Sequence, residues 1–188
     1  MASVASGAVA VFNSQLTWDA YVASNGATVA TETFDSFSGY QPSATGTAGG
    51  TTWTANASIG QITFQTLGTH KVLSTALGGR TLNFTFAPGV QGIGGEMFGT
   101  NASFEVVLAA LTVTLADGTS YVSDQTSASD FVGFYSNGAA ISSISVSTST
   151  EGTYATVGNL YFATVPAPGA LVLLATAGCV SGRTRRRA

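Results

Sequence analysis

Leu111-Thr112-Val113-Thr114-Leu115-Ala116-Asp117-Gly118-Thr119-Ser120-Tyr121 decides the fold class. Its first five residues alternate apolar and polar, as a strand with one buried face requires. Asp-Gly then supplies a tight reversal, and alternation resumes beyond it, which predicts a β-hairpin. The same period of two recurs in Ile62-Thr63-Phe64, Leu82-Asn83-Phe84-Thr85-Phe86 and Ile144-Ser145-Val146-Ser147. Ser136-Asn137-Gly138 suggests a similar link between Phe131-Val132-Gly133-Phe134 and the run from Ile141. Eight or more short strands at this spacing point to an all-β protein, an antiparallel β-sandwich of jelly-roll type.

Two other stretches read differently. Trp18, Tyr21 and Val22 fall on one face of a short N-terminal helix within Asn13–Ala23, with Ser14 or Thr17 as its cap and Asn25-Gly26 as its stop. Residues 38–52 and 87–103 are rich in glycine or in Ser and Thr, and they read as loops.

Composition limits the function. The chain has 188 residues, enough for one domain with a proper core, and only 8% of them are charged. Its surface must therefore be built from hydroxyls: Ser and Thr together number 48. Arg183, Arg185, Arg186 and Arg187 crowd the C-terminus, leaving Lys71 and Arg80 against nine acids and a formal charge of −7 over residues 1–182. Such a body has no basic patch for nucleic acid. Cys179 is the only cysteine and His70 the only histidine, so no internal disulfide and no His/Cys metal cluster can form. His70, beside Lys71, reads as a loop or surface residue.

The two ends read as processing segments. Ala8-Val9-Ala10 has the small-x-small form that precedes signal cleavage, and residues 1–10 are expected to be the remnant of a signal peptide. The sandwich is expected over 11–163 and a sorting and transmembrane signal over 164–188. Residues 164–182 carry no charge and, as a helix, would span about 28 Å. That approaches the ~30 Å hydrocarbon core. The arginines that follow would stay cytoplasmic and leave the body on the far side of the membrane.

This order resembles the PEP-CTERM sorting signal of Gram-negative bacteria. Val165, Pro166, Ala167 and Pro168 resemble the recognition motif, although Ala167 stands where the family usually has Glu. Gly169, Ala170, Leu171, Val172, Leu173 and Leu174 open the hydrophobic C-terminal helix, and the arginines close it. The resemblance implies recognition by an exosortase-type sorting protease and a transient anchor in the inner membrane. Release to the cell surface or extracellular matrix would follow. The body is similar, more loosely, to proteins that carry this tail, in Thr31-Glu32-Thr33-Phe34-Asp35 and in Val157-Gly158-Asn159-Leu160-Tyr161-Phe162.

Little else in the body carries chemistry. Jelly-roll carbohydrate-binding modules often hold a structural calcium between an early-strand Glu and a late-strand Asp. Glu32, Asp35 and Asn159 resemble that placement, with Gly158 where an aspartate is expected; alternatively, these side chains are solvated or cap a turn. Trp53, between threonines, is the candidate platform for stacking on a sugar ring, or else a core residue. Glu96 and Glu105 lack the spacing of a glycosidase pair. The expectation is a non-enzymatic structural or adhesive protein in a polysaccharide-rich layer. A carbohydrate-binding module and, more distantly, a surface glycoside hydrolase are the alternatives.

Overall fold

A computed structural model describes residues 8–166. The elements run β1 (Val9–Phe12), α1 (Gln15–Ser24), β2 (Thr28–Glu32), β3 (Gly39–Gln41), β4 (Ser43–Ala48), β5 (Thr51–Ala57), β6 (Ile62–Leu67) and β7 (His70–Thr75). They continue with β8 (Leu82–Phe86), β9 (Val90–Thr100), β10 (Val106–Val107), β11 (Ala109–Leu115), β12 (Ser120–Gln125), β13 (Phe131–Ser136), β14 (Ser143–Thr148) and β15 (Tyr154–Thr164). They form two antiparallel sheets, as the alternating runs predict. One is ordered β1-β13-β9-β15-β7-β6-β3, with β2 beside β15 and β10 beside β9; the other is ordered β12-β11-β14-β8-β5-β4.

Within them, β7-β15-β9-β13 faces β8-β14-β11-β12, the strand order of a jelly roll. The Asp117-Gly118 hairpin forms as expected: Gly118 takes φ +89°, and the Asp117 carboxylate accepts the Thr119 N–H at 2.9 Å.

The link at Asn137-Gly138 is not a hairpin. β13 belongs to the nine-stranded sheet and β14 to the six-stranded one, so the chain crosses between layers there. Asn137 fixes the crossing by donating its side-chain amide to the Ala8 carbonyl and to the Tyr21 hydroxyl.

The two expected loops are largely strand. Residues 38–52 contain β3, β4 and the start of β5, with Gly49 and Gly50 turning between the last two at φ +55° and +83°. Residues 87–103 contain β9, which pairs with β13 on one side and β15 on the other.

The glycines of β9 have a packing reason. α1 lies on the outer face of the nine-stranded sheet and buries Trp18 and Val22 against Phe131, Tyr135, Tyr161 and Ala163. A Cβ on Gly94 would come within 2.6 Å of the Phe131 ring, and one on Gly92 within 2.9 Å of the Tyr135 ring. Bare backbone lets the aromatic side chains lie flat on the sheet. The Trp18 indole N–H then donates to the Phe134 carbonyl at 3.1 Å. Ser14 is the N-cap by position but makes no side-chain cap bond, while the Thr17 hydroxyl donates back to the Ser14 carbonyl.

The main core lies between the sheets and includes Phe34, Trp53, Phe84, Phe134 and Phe162, all fully buried. Each such ring takes about 150–250 Å² out of water, the dominant favourable term in folding.

The boundaries move slightly from those expected. Val9 and Ala10 are not outside the domain: they pair with Ser136 and Tyr135 as the first residues of β1. Thr164 is the last residue of β15 and pairs with Thr28. The register brings Val9, Ser136, Val90 and Thr164 to one end of the sandwich, so both described chain ends leave there. Ala167, Pro168, Gly169–Leu174 and the four terminal arginines, with the expected C-terminal helix, lie outside the described residues. Among the described residues no helix is long and apolar enough to cross a membrane.

Candidate functional site

Trp53 is a core residue. It is 0% exposed, so its ring offers no face to a sugar, which corrects the expected platform. The alternation of β5 explains this. Thr51, Trp53, Ala55 and Ala57 turn inward, while Thr52, Thr54 and Asn56 turn outward or to part-buried positions. The indole lies over Gly46 of the neighbouring strand, where a Cβ would stand 2.5 Å from the ring.

Glu32 is its partner. Paired with the buried Leu160, Glu32 directs its side chain into the core and is 9% exposed. One carboxylate oxygen accepts the Trp53 indole N–H at 2.8 Å, and the other accepts the Phe34 N–H at 2.8 Å. Phe34 has φ +59°, an unusual conformation for a bulky residue, and its ring meets Trp53 edge-on at 5.5 Å. The carboxylate therefore clamps a left-handed turn to the aromatic core.

The expected calcium ligands do not converge. Asp35 is exposed and accepts the Thr33 hydroxyl at 2.7 Å. Asn159 precedes Leu160 and so lies on the opposite side of β15 from Glu32. Its backbone N–H and side-chain amide donate to the two oxygens of Glu96, at 3.2 and 3.3 Å. In the sequence Glu96 figures only as an acid without a glycosidase partner, and its place beneath Asn159 is not anticipated there. A Cβ on Gly158 would stand 2.6 Å from a Glu96 carboxylate oxygen. The space that a side chain at position 158 would need is thus occupied by a glutamate from β9. Burial, followed by the charge of Glu96, pushes the neighbouring Tyr161 hydroxyl above its ordinary pKa of 10.0. Among the described residues no group of three His, Cys, Asp or Glu could hold a metal ion.

What the sheets do expose is a grid of uncharged polar side chains. Across the six-stranded sheet, Ser120, Thr114, Ser145, Asn83, Asn56 and Ser43 stand opposite one another, one from each strand. A second row holds Ser143, Thr85, Thr54 and Thr45. Neighbours in a row are about 4.8 Å apart, and the rows are about 6.8 Å apart along the strands.

Between the rows runs a furrow of about 210 Å³ floored by the backbone at Leu115, Ile144 and Phe84. Thr114, Ser145 and Asn83 line one wall, and Ser143 and Thr85 the other. Past Leu115 and Ala116 it adjoins a cavity of about 280 Å³ at the end of the sandwich, lined by Asp117 and Ser142 among others.

The chain matches no protein-family model and no curated protein. A jelly roll hosts many unrelated activities, so function has to be argued from these surfaces.

Proposed function

We propose that this is an exported jelly-roll protein with a structural or adhesive role in a polysaccharide-rich surface layer, delivered by its C-terminal sorting signal. The observation that carries the reading is the junction at the end of β15. Thr164 is the last paired residue, and Val165 and Pro166, which open the motif, are both exposed. A processing enzyme could engage the motif without opening a strand. Support also comes from the outer face of the six-stranded sheet, whose two polar rows carry no charge and suit a hydrated matrix of neutral glycan. The inner membrane would hold the chain before an exosortase-type protease releases it. Expression with and without residues 167–188, in a host that has the sorting system, tests this. Fractionation and intact mass should show the full chain processed to a shorter surface form and the truncated chain lost from the surface. Equal distribution of both, with no mass change, would refute it.

The second reading, a carbohydrate-binding module, is favoured by the furrow rather than by Trp53.

A further inference from the structure

The furrow across β11, β14 and β8 is an open channel with uncharged polar walls. Its walls are the two polar rows, and its floor is sheet backbone already committed to ladder bonds. The Asn83 amide and the Thr85, Thr114 and Ser143 hydroxyls make no hydrogen bond to any described residue, while the Ser145 hydroxyl donates only a long bond, 3.4 Å, to the Thr114 carbonyl. Hydroxyls and amides both donate and accept, so the walls can answer a ligand that presents both. No charged side chain lines the furrow, and burying a charged polymer there would cost desolvation with no counter-charge to offset it. No aromatic ring faces outward from it either, since Phe84 is fully buried.

We propose that this furrow binds a neutral, extended polysaccharide. The glycan would lie across the strands between the two rows, held by hydrogen bonds to Asn83, Thr85, Thr114 and Ser143 without ring stacking. The proposal rests on the preceding reading only for the source of the glycan. Because binding is measured on purified protein, its failure is separable from a failure of surface delivery.

The test is affinity electrophoresis of the full chain, which at a net charge of −3 migrates toward the anode. Native gels would contain hydroxyethylcellulose, laminarin or dextran as neutral probes and alginate as an anionic one. At least one neutral glycan should retard the protein more than alginate does. Asn83→Ala/Thr85→Val/Thr114→Val should weaken that retardation about tenfold or more. Thr31→Val/Thr66→Val, at exposed positions on the other sheet, should not. Ser145→Ile, which fills the furrow and leaves the core untouched, gives a second route to the same loss should the triple variant fold poorly. The proposal is overturned if no neutral glycan retards the wild type, if alginate retards it more, or if Ser145→Ile binds as the wild type does.

Discussion

Gly133→Ala should destabilise this protein, and the sign of the effect is the test. Gly133 lies opposite Gly94 in the middle of the nine-stranded sheet, beneath α1. In an ordinary strand, replacing glycine by alanine removes unfolded-state freedom and gains roughly 0.5–1 kcal/mol. Here a Cβ would stand 2.7 Å from the Phe131 ring and 2.7 Å from Trp18 Cδ1. Neither neighbour has room to retreat. Trp18 is fully buried, is pinned by its indole bond to the Phe134 carbonyl, and packs on Phe131 at 5.9 Å between ring centres.

Overpacking of this kind costs about 1–3 kcal/mol, which outweighs the entropic gain. The net loss, on the order of 1–2 kcal/mol, should lower the midpoint of thermal unfolding by about 2–8 °C. Calorimetry on the wild type, Gly133→Ala, Trp18→Leu and the double variant isolates the contact. The alanine should cost less once the indole is gone, by a coupling of about 1 kcal/mol. A raised midpoint in Gly133→Ala, or the same decrement in both backgrounds, would refute the idea that these glycines exist to seat α1.

The glutamate beneath β15 gives a related pair of variants. Gly158→Ala should lose about 1–3 kcal/mol, and shortening the carboxylate with Glu96→Ala should recover part of it, as chemical denaturation would show. Glu32→Gln should cost about 1–3 kcal/mol, because one of its two carboxylate acceptors becomes an amide donor facing either the Trp53 or the Phe34 N–H. At alkaline pH the raised pKa of Tyr161 makes the folded state retain a proton that the unfolded chain releases. Stability is therefore fully present below pH 10.0 and declines as pH rises above it. Tyr161→Phe should make that decline shallower in melting curves taken from pH 9 to 11.

The fold was legible where the information is local. The Asp117-Gly118 turn and the alternation of Leu111–Leu115 name their own structure, since turn chemistry and period two act within a few residues. β9 was not legible, because Gly92 and Gly94 make sense only beside the rings of Tyr135, Phe131 and Trp18, which come from distant parts of the chain. Trp53 lay between the two cases. Its neighbouring threonines suggested a surface, yet Ala55 and Ala57 share its parity and mark the inward face. Asn137-Gly138 carried a correct turn signal but could not say that the next strand joins the other sheet. For the site, Glu32 was picked out by type and place, while its direction depended on the register with Leu160. Glu96 could not be paired with Gly158 from sequence, because no local rule links a small residue to the side chain that fills its space.

The position of β15 has a mechanical consequence. Its C-terminal half is paired on both sides, with β9 through Thr164 and with β2 from Leu160 to Thr164. Tension entering at Pro166 would run along the strand and be shared by both ladders at once. They would be loaded in shear, the direction in which many bonds must yield together. β1, at the other described end, has β13 as its only ladder partner among the described residues, over four residues, so a pull there is borne by far fewer bonds. Single-molecule stretching from each end should give the higher rupture force at the C-terminal end. If the body is held at a surface by that end, the load falls on the strand best able to carry it.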